Sequence, residues 1–181
     1  RVLWEKHLVK DLDGRRPPWG YSATPLILGE KIVVNPGAKD GCLVALNRYS
    51  GVEIWRSPGA ETAYASPLIA KLGGRQQIVT YDAVSLGGWD PTTGERLWKV
   101  LPEYEGDFNV PSPVLADGKL FVATENNGAR IYEFNDSGRA RGKPSASFED
   151  LLPDTTTPAV MDGLALGACA GRLFCLDARN S

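Results

Sequence analysis

One histidine and three cysteines are all that 181 residues offer of the soft metal ligands, and His7, Cys42, Cys169 and Cys175 stand apart along the chain. A zinc site of clustered Cys and His is thereby excluded, and no metal site is expected. No apolar run approaches the roughly 18–20 residues that cross a bilayer as a helix. Basic runs are missing too: 20 Lys and Arg face 22 Asp and Glu for a net charge of −2, which argues against a grip on phosphate backbones and so against nucleic acid. The sequence has no G-x-S-x-G, and no helix follows Gly73-Gly74 or Gly87-Gly88 to complete a phosphate-binding loop, so close packing and turns suffice for those glycines. An odd cysteine count leaves at least one thiol without a partner in the chain.

What is plentiful is glycine (20) and proline (13), spread evenly through a chain that is 43% hydrophobic. That pattern belongs to many short elements joined by turns, and it prompts a search for repeats. A hydroxyl residue, a proline and an apolar run recur at Thr24-Pro25, Ser66-Pro67, Ser112-Pro113 and Thr157-Pro158, with the prolines 42, 46 and 45 residues apart. Glycine followed four residues later by tryptophan occurs at Gly51/Trp55 and Gly94/Trp98. Four units of about 45 residues account for the chain: 18–57, 63–100, 108–144 and 154–181.

Within a unit, turn residues separate short strands. In the third, Pro113–Ala116, Lys119–Thr124 and Ala129–Phe134 are divided by Asp117-Gly118 and Asn126-Asn127-Gly128, residues that tolerate positive φ. Second strands such as Lys31-Ile32-Val33-Val34 are apolar at successive positions, as a strand covered on both faces must be. A sandwich strand with one wet face would alternate instead. The expected fold is all-β: a β-propeller of four-stranded antiparallel blades, about four in this chain.

Ala45-Leu46-Asn47-Arg48-Tyr49-Ser50-Gly51-Val52-Glu53-Ile54-Trp55 resembles the A-x-D-x-x-T-G-x-x-x-W signature of the pyrroloquinoline-quinone-like (PQQ-like) propeller repeats. Gly88-Trp89-Asp90-Pro91-Thr92-Thr93-Gly94-Glu95-Arg96-Leu97-Trp98 is the closer copy. The resemblance implies that Gly51 and Gly94 turn the chain into the outer strand, and that Trp4, Trp55 and Trp98 dock between blades. The third unit has Gly138 but Gly142 where tryptophan belongs. The fourth ends Cys175-Leu176-Asp177-Ala178-Arg179-Asn180-Ser181, with Ser at the glycine position, and Arg1-Val2-Leu3-Trp4 supplies the piece that would follow. Residues 1–6 are thus expected to act as a complementary outer strand. They could close a four-bladed ring, be lent to a second copy in an eight-bladed homodimer, or mark the chain as half of a longer one.

Functionally the resemblance implies a non-catalytic scaffold that offers its loops and central funnel to a protein partner, outside the cytoplasm. It is similar in this to the propeller lipoprotein of outer-membrane barrel assembly and to propeller ectodomains of bacterial kinases. No catalytic residue and no cofactor are expected. The alternative is a quinoprotein alcohol or sugar dehydrogenase, or part of one, holding PQQ with calcium. Against it, Cys42, Cys169 and Cys175 include no adjacent pair, a feature of many such enzymes. Glu125-Asn126-Asn127 could ligate a hard cation, but reads more simply as a hairpin turn. Asp11-Leu12-Asp13-Gly14 lacks the further acids of a calcium loop and reads as a solvated loop. Trp89 is expected to pack, and His7 to lie at the surface. Trp19 and Tyr21, in the connection ahead of the first unit, form an aromatic loop that could take a partner or pack over a blade. A scaffold requires a funnel of ordinary residues and an exposed aromatic or apolar patch on one loop face, an enzyme polar and acidic side chains converging on the axis with at least one perturbed carboxylate.

Overall fold

The computed structural model describes residues 1–179, so the Ser that replaces glycine at the end of the fourth unit lies outside the described residues. Four antiparallel sheets follow one another in sequence. The first holds β1 (Leu26–Leu28), β2 (Lys31–Val34), β3 (Leu43–Asn47) and β4 (Glu53–Ser57). The second holds β5 (Leu68–Leu72), β6 (Arg75–Tyr81), β7 (Leu86–Trp89) and β8 (Arg96–Val100). The third holds β9 (Val114–Ala116), β10 (Lys119–Thr124), β11 (Gly128–Tyr132) and β12 (Ala146–Phe148). The fourth has three strands, β13 (Ala159–Met161), β14 (Leu164–Cys169) and β15 (Arg172–Asp177). The chain is an arc of propeller blades, each strand paired with its sequence neighbour.

The hairpin turns follow from their residues. Asp117-Gly118, Asp162-Gly163, Ala170-Gly171 and Gly73-Gly74 all have positive φ at both central positions, the turn whose twist matches that of paired strands. At the rim shared by the turns between first and second strands, Asn47, Asp90 and Asn135 each accept backbone N–H bonds from residues two to four positions on. A short acceptor side chain at the D position of the signature therefore caps the turn into the outer strand.

Neighbouring sheets are joined at two radii. Near the first strands, the N–H of Thr24 donates to Ser66 Oγ, that of Ser66 to Ser112 Oγ, and that of Ser112 to Thr157 Oγ1, each at 2.9 Å. The hydroxyls of Ser66, Ser112 and Thr157 thus each serve the preceding unit. Farther out, the indole of Trp4 lies against Gly51 and donates Nε1–H to the Arg48 carbonyl at 2.8 Å. Trp55 stands in the same relation to Gly94 and to the Pro91 carbonyl, at 3.4 Å. Trp98 reaches the third sheet through Gln77, whose Nε2 donates to the Gly138 carbonyl at 2.8 Å, and by an edge contact with Phe134 at 5.3 Å.

Two departures from the sequence reading have physical causes. The third unit's outer strand lies at Ala146–Phe148, beyond the 108–144 span, because Phe134–Ala140 form a small extra hairpin around the Asn135 cap. Ala146, not Gly142, then pairs with Ile131, as Trp55 pairs with Ala45. Residues 1–6 form no strand. The following residues, instead of a solvated loop, make a short helix α1 (Leu8–Leu12) capped by the exposed His7 and ended by Asp13 at φ 56°. Trp4, Leu8 and Leu12 cover the free face of the first sheet over Ile32, Val34, Val44 and Leu46. The fourth sheet's outward face is uncovered, and β14 accordingly alternates between buried and exposed residues. Met161, Leu164, Leu166 and Leu173 are all exposed there.

The Trp55 contact sets an expectation for stability. Trp55→Ala should cost about 3–5 kcal/mol by denaturant titration. Gly94→Ala should cost at least about 1–2 kcal/mol for the left-handed backbone alone, since φ is 75° and the new Cβ would sit 2.5 Å from Trp55. Trp4→Ala, at a half-exposed position, should cost less than Trp55→Ala; equal or reversed losses would mean that the indole is not what joins the sheets.

Candidate functional site

The connections from the outer strand of one sheet to the inner strand of the next run along one rim, where they meet the turns between second and third strands. Thr62 bridges to Asp82 there. The Asn126 N–H donates to Asp107 Oδ1 at 2.8 Å, and Asn127 Nδ2 donates to Asp107 Oδ2 at 2.7 Å and to the Tyr104 carbonyl at 2.8 Å. Asn126-Asn127-Gly128 is thus a hairpin turn whose polar groups are spent on holding the 104–108 loop.

An aromatic trio stands on this rim. Trp19, Tyr64 and Phe108 come from the connections entering the first, second and third sheets. The Trp19 ring centroid is 5.6 Å from Tyr64 and 4.6 Å from Phe108, nearly perpendicular to the latter at 83°. Tyr64 is buried and floors the group, while Trp19 is 67% and Phe108 52% exposed. Beside them lies a hollow of about 420 Å³ lined by Arg15, Arg16, Pro18 and Asp107, with Arg15 ion-paired to Glu61 across its edge. Large amphipathic rings that are exposed yet held by one another are typical anchors of protein interfaces, since they lose little entropy on binding.

Glu125 is the one perturbed carboxylate of this rim. Its Oε1 accepts the Phe108 N–H, and its Oε2 is buried without a partner. Burial lifts its pKa above the usual carboxylate range, opposed by the backbone N–H bond, with Asp107 and Asp154 pushing the same way as burial. Asp107, already engaged by Asn126 and Asn127, is not available as its partner in acid–base work. Among the described residues no group of three or more His, Cys, Asp or Glu is placed to hold a metal ion.

The other residues singled out in the sequence are scattered. Trp19 belongs to the trio, whereas Tyr21 turns inward and donates to the Pro36 carbonyl at 3.1 Å. Trp55 and Gly94 meet between the first and second sheets and Trp98 reaches toward the third, while Trp4 and Gly51 meet on the free face of the first sheet, all nearest the opposite rim. Trp89 is wholly buried under the Arg96 guanidinium, 4.6 Å from its ring. Gly87 and Gly88 leave room for Arg96 and Trp98. Asp11 accepts the His7 N–H and Asp13 ends α1, so this segment is a capped helix. Sequence reasoning overlooked Tyr64 and Phe108. Tyr64 follows Trp19 by 45 residues and Phe108 follows Tyr64 by 44, repeating the period of the units, and this was the available signal.

The cysteines are all free. Cys175 lies opposite Leu166 and Cys169 opposite Arg172, the register the two-residue Ala170-Gly171 turn dictates. Cys42 is buried against Gly59 in the core, and burial pushes its thiol up to about 12, with Asp82 adding to the effect and Arg96 opposing it.

A family model described as "Outer membrane protein assembly factor BamB" matches residues 1–181. No curated protein matches the chain. Among solved structures, the fold is similar to the crystal structure of BamB from Moraxella catarrhalis, at 18% identity and a TM-score of 0.59, over 88% of this chain and 50% of that one. It is also similar to a europium-containing methanol dehydrogenase, at 16% identity and a TM-score of 0.53, over 88% of this chain and 40% of that one. The chain therefore spans half or less of the length of these two structures.

The thiols provide a check on this arrangement. At pH 8 in native buffer a thiol reagent should label the exposed Cys175 first, and Cys42 only on unfolding, because the reactive thiolate of Cys42 is suppressed. Labelling of Cys42 at the rate of Cys175, read by peptide mass, would place the first sheet's core wrongly.

Proposed function

The chain belongs to the family described as outer membrane protein assembly factor BamB, and from this we propose that it is a non-catalytic scaffold that binds a protein partner through its loop rim, outside the cytoplasm. The observation that carries the reading is the aromatic group of exposed Trp19 and Phe108 on buried Tyr64. Three successive units contribute one ring each, so the surface exists only when the sheets are stacked. Repeat motifs specify the stacking and leave the rim free to specify the partner. Trp4, Gly51, Trp55, Gly94 and Trp98 are in this reading structural, holding the sheets at the angle that brings the rings together.

The likeness to a methanol dehydrogenase raises PQQ with calcium, and the described residues do not fit that group. The cysteines are separate, the side chains of Asn127 and Asp107 bond to each other, and Glu125 stands without a second available acid. No chemical step is assigned to them.

The open face of the fourth sheet bears on assembly. The chain is half the length of the BamB structure it resembles, so a second copy stacked on Met161, Leu164, Leu166 and Leu173 would complete a ring of similar size. Light scattering would then give twice the 19.6 kDa chain mass, whereas a concentration-independent value of 19.6 kDa removes the shared ring.

For the rim itself, Trp19→Ala with Phe108→Ala should leave the melting temperature nearly unchanged, since both rings are more than half exposed. The pair should abolish co-purification of whatever envelope protein the unaltered chain retains. Titration with PQQ, with and without calcium, should leave the tryptophan fluorescence flat. Saturable, calcium-dependent quenching with a higher melting temperature would overturn the scaffold reading.

A further inference from the structure

The junction between the second and third sheets contains a charge that the repeat does not call for. Val33, Val79 and Phe121 pair with the strand that follows the unit proline, at Leu26, Leu68 and Val114. The next residue along, Val34, Thr80 or Val122, pairs with Val44, Gly87 or Arg130. Arg130 therefore occupies, in the third unit, a packing position that valine and glycine fill in the first two. It is only 8% exposed. Its Nη2 donates to Thr124 Oγ1 at 2.6 Å, and its Nε has no partner.

Among the described residues Arg130 makes no ion pair. On the loop rim Asp107 accepts from Asn126 and Asn127, and Glu125 accepts the Phe108 N–H through one oxygen only, yet neither is ion-paired with Arg130. A buried cation without a counter-charge is costly, and an anion reaching it would supply the missing pair. Arg130 does not face a closed core. It lines a cleft of about 800 Å³ between the second sheet's exit, residues 142–144 that follow the extra hairpin, and the connection to the fourth sheet.

We propose that this cleft binds the free C-terminus of an extended peptide, with the terminal carboxylate on Arg130. The planar guanidinium fork matches a carboxylate in two parallel hydrogen bonds. The cleft far exceeds a small inorganic anion, and Leu101, Tyr104 and Leu152 present exposed apolar surface within it for the peptide's side chains. Its rim is acidic, with Glu103, Glu149 and Asp150 against Lys143. Such a rim repels polyanions, which disfavours phosphorylated ligands and anionic surfaces. It tolerates a single carboxylate at the floor and favours basic or apolar residues upstream. This site lies across the 104–108 loop from the aromatic trio and does not depend on the scaffold reading.

The test is calorimetric titration of the intact chain with acetyl-Lys-Leu-Lys-Leu as the free acid and as its C-terminal amide. The acid should bind at least tenfold more tightly than the amide and shift the Arg130 Nε–H resonance in a nitrogen–proton spectrum. Arg130→Gln should erase the difference between acid and amide. The acid–amide comparison in the unaltered protein stands alone should that variant fail to fold. Equal binding of acid and amide, no binding of either at millimolar peptide, or inorganic phosphate binding as tightly as the acid would each overturn the proposal.

Discussion

The relay of hydroxyl groups near the first strands is the constraint on which the arc of sheets depends. Thr24, Ser66, Ser112 and Thr157 are linked in series by three bonds of equal length. Each fixes the start of one unit against the start of the next. Proline after the hydroxyl holds that residue extended, so its N–H and Oγ can serve two neighbours at once. With the inner ends pinned, the sheets splay outward, and the wedge between them must be filled. Trp55 fills it between the first and second sheets against Gly94, as Trp4 covers Gly51 on the first sheet's free face, and the positive φ of both glycines removes any alternative residue without strain. Trp98 instead reaches the third sheet through Gln77 and Phe134.

The junction between the second and third sheets is where the third unit departs from the repeat, and the consequences are local. The extra hairpin delays the outer strand and leaves Ala146 at the register of the docking tryptophan. With only a methyl group there and a three-residue outer strand, the third sheet covers its neighbours less completely. The large cleft opens in the same unit, with Arg130 on its floor. A solvent-accessible position between sheets is the one place where a buried guanidinium can be both sheltered and reachable. The irregular unit thus contains the features that the regular ones exclude.

The sheet architecture was legible in the sequence to a considerable depth, because each cue had a single physical meaning. Gly73-Gly74, Asp117-Gly118 and Ala170-Gly171 demand tight turns, and the last fixes the register that keeps Cys169 and Cys175 apart. Consecutive apolar residues in Lys31–Val34 and Lys119–Thr124 required cover on both faces. The helix at Leu8–Leu12 was not legible, since five residues carry no periodicity and its stability comes from packing Leu8 and Leu12 on the first sheet. The outer strand at Ala146–Phe148 was hidden because the Gly138 turn is followed by a detour of a length no motif specifies.

The rim was legible only in part, for a different reason. Trp19 drew notice as an aromatic beside Pro17-Pro18, but Tyr64 and Phe108 belong to connections that share no motif with it. Their meeting depends on the angular step between sheets, a tertiary quantity set by the relay and the indole wedge. The residues that hold the step recur because every junction needs them. Those that use it differ from unit to unit: one tryptophan, one tyrosine and one phenylalanine on the rim, and one arginine between the second and third sheets. In a repeat protein, function is therefore to be sought where equivalent positions carry unequal chemistry. Arg130 in place of Val44 and Gly87 is the sharpest inequality of that kind in this chain.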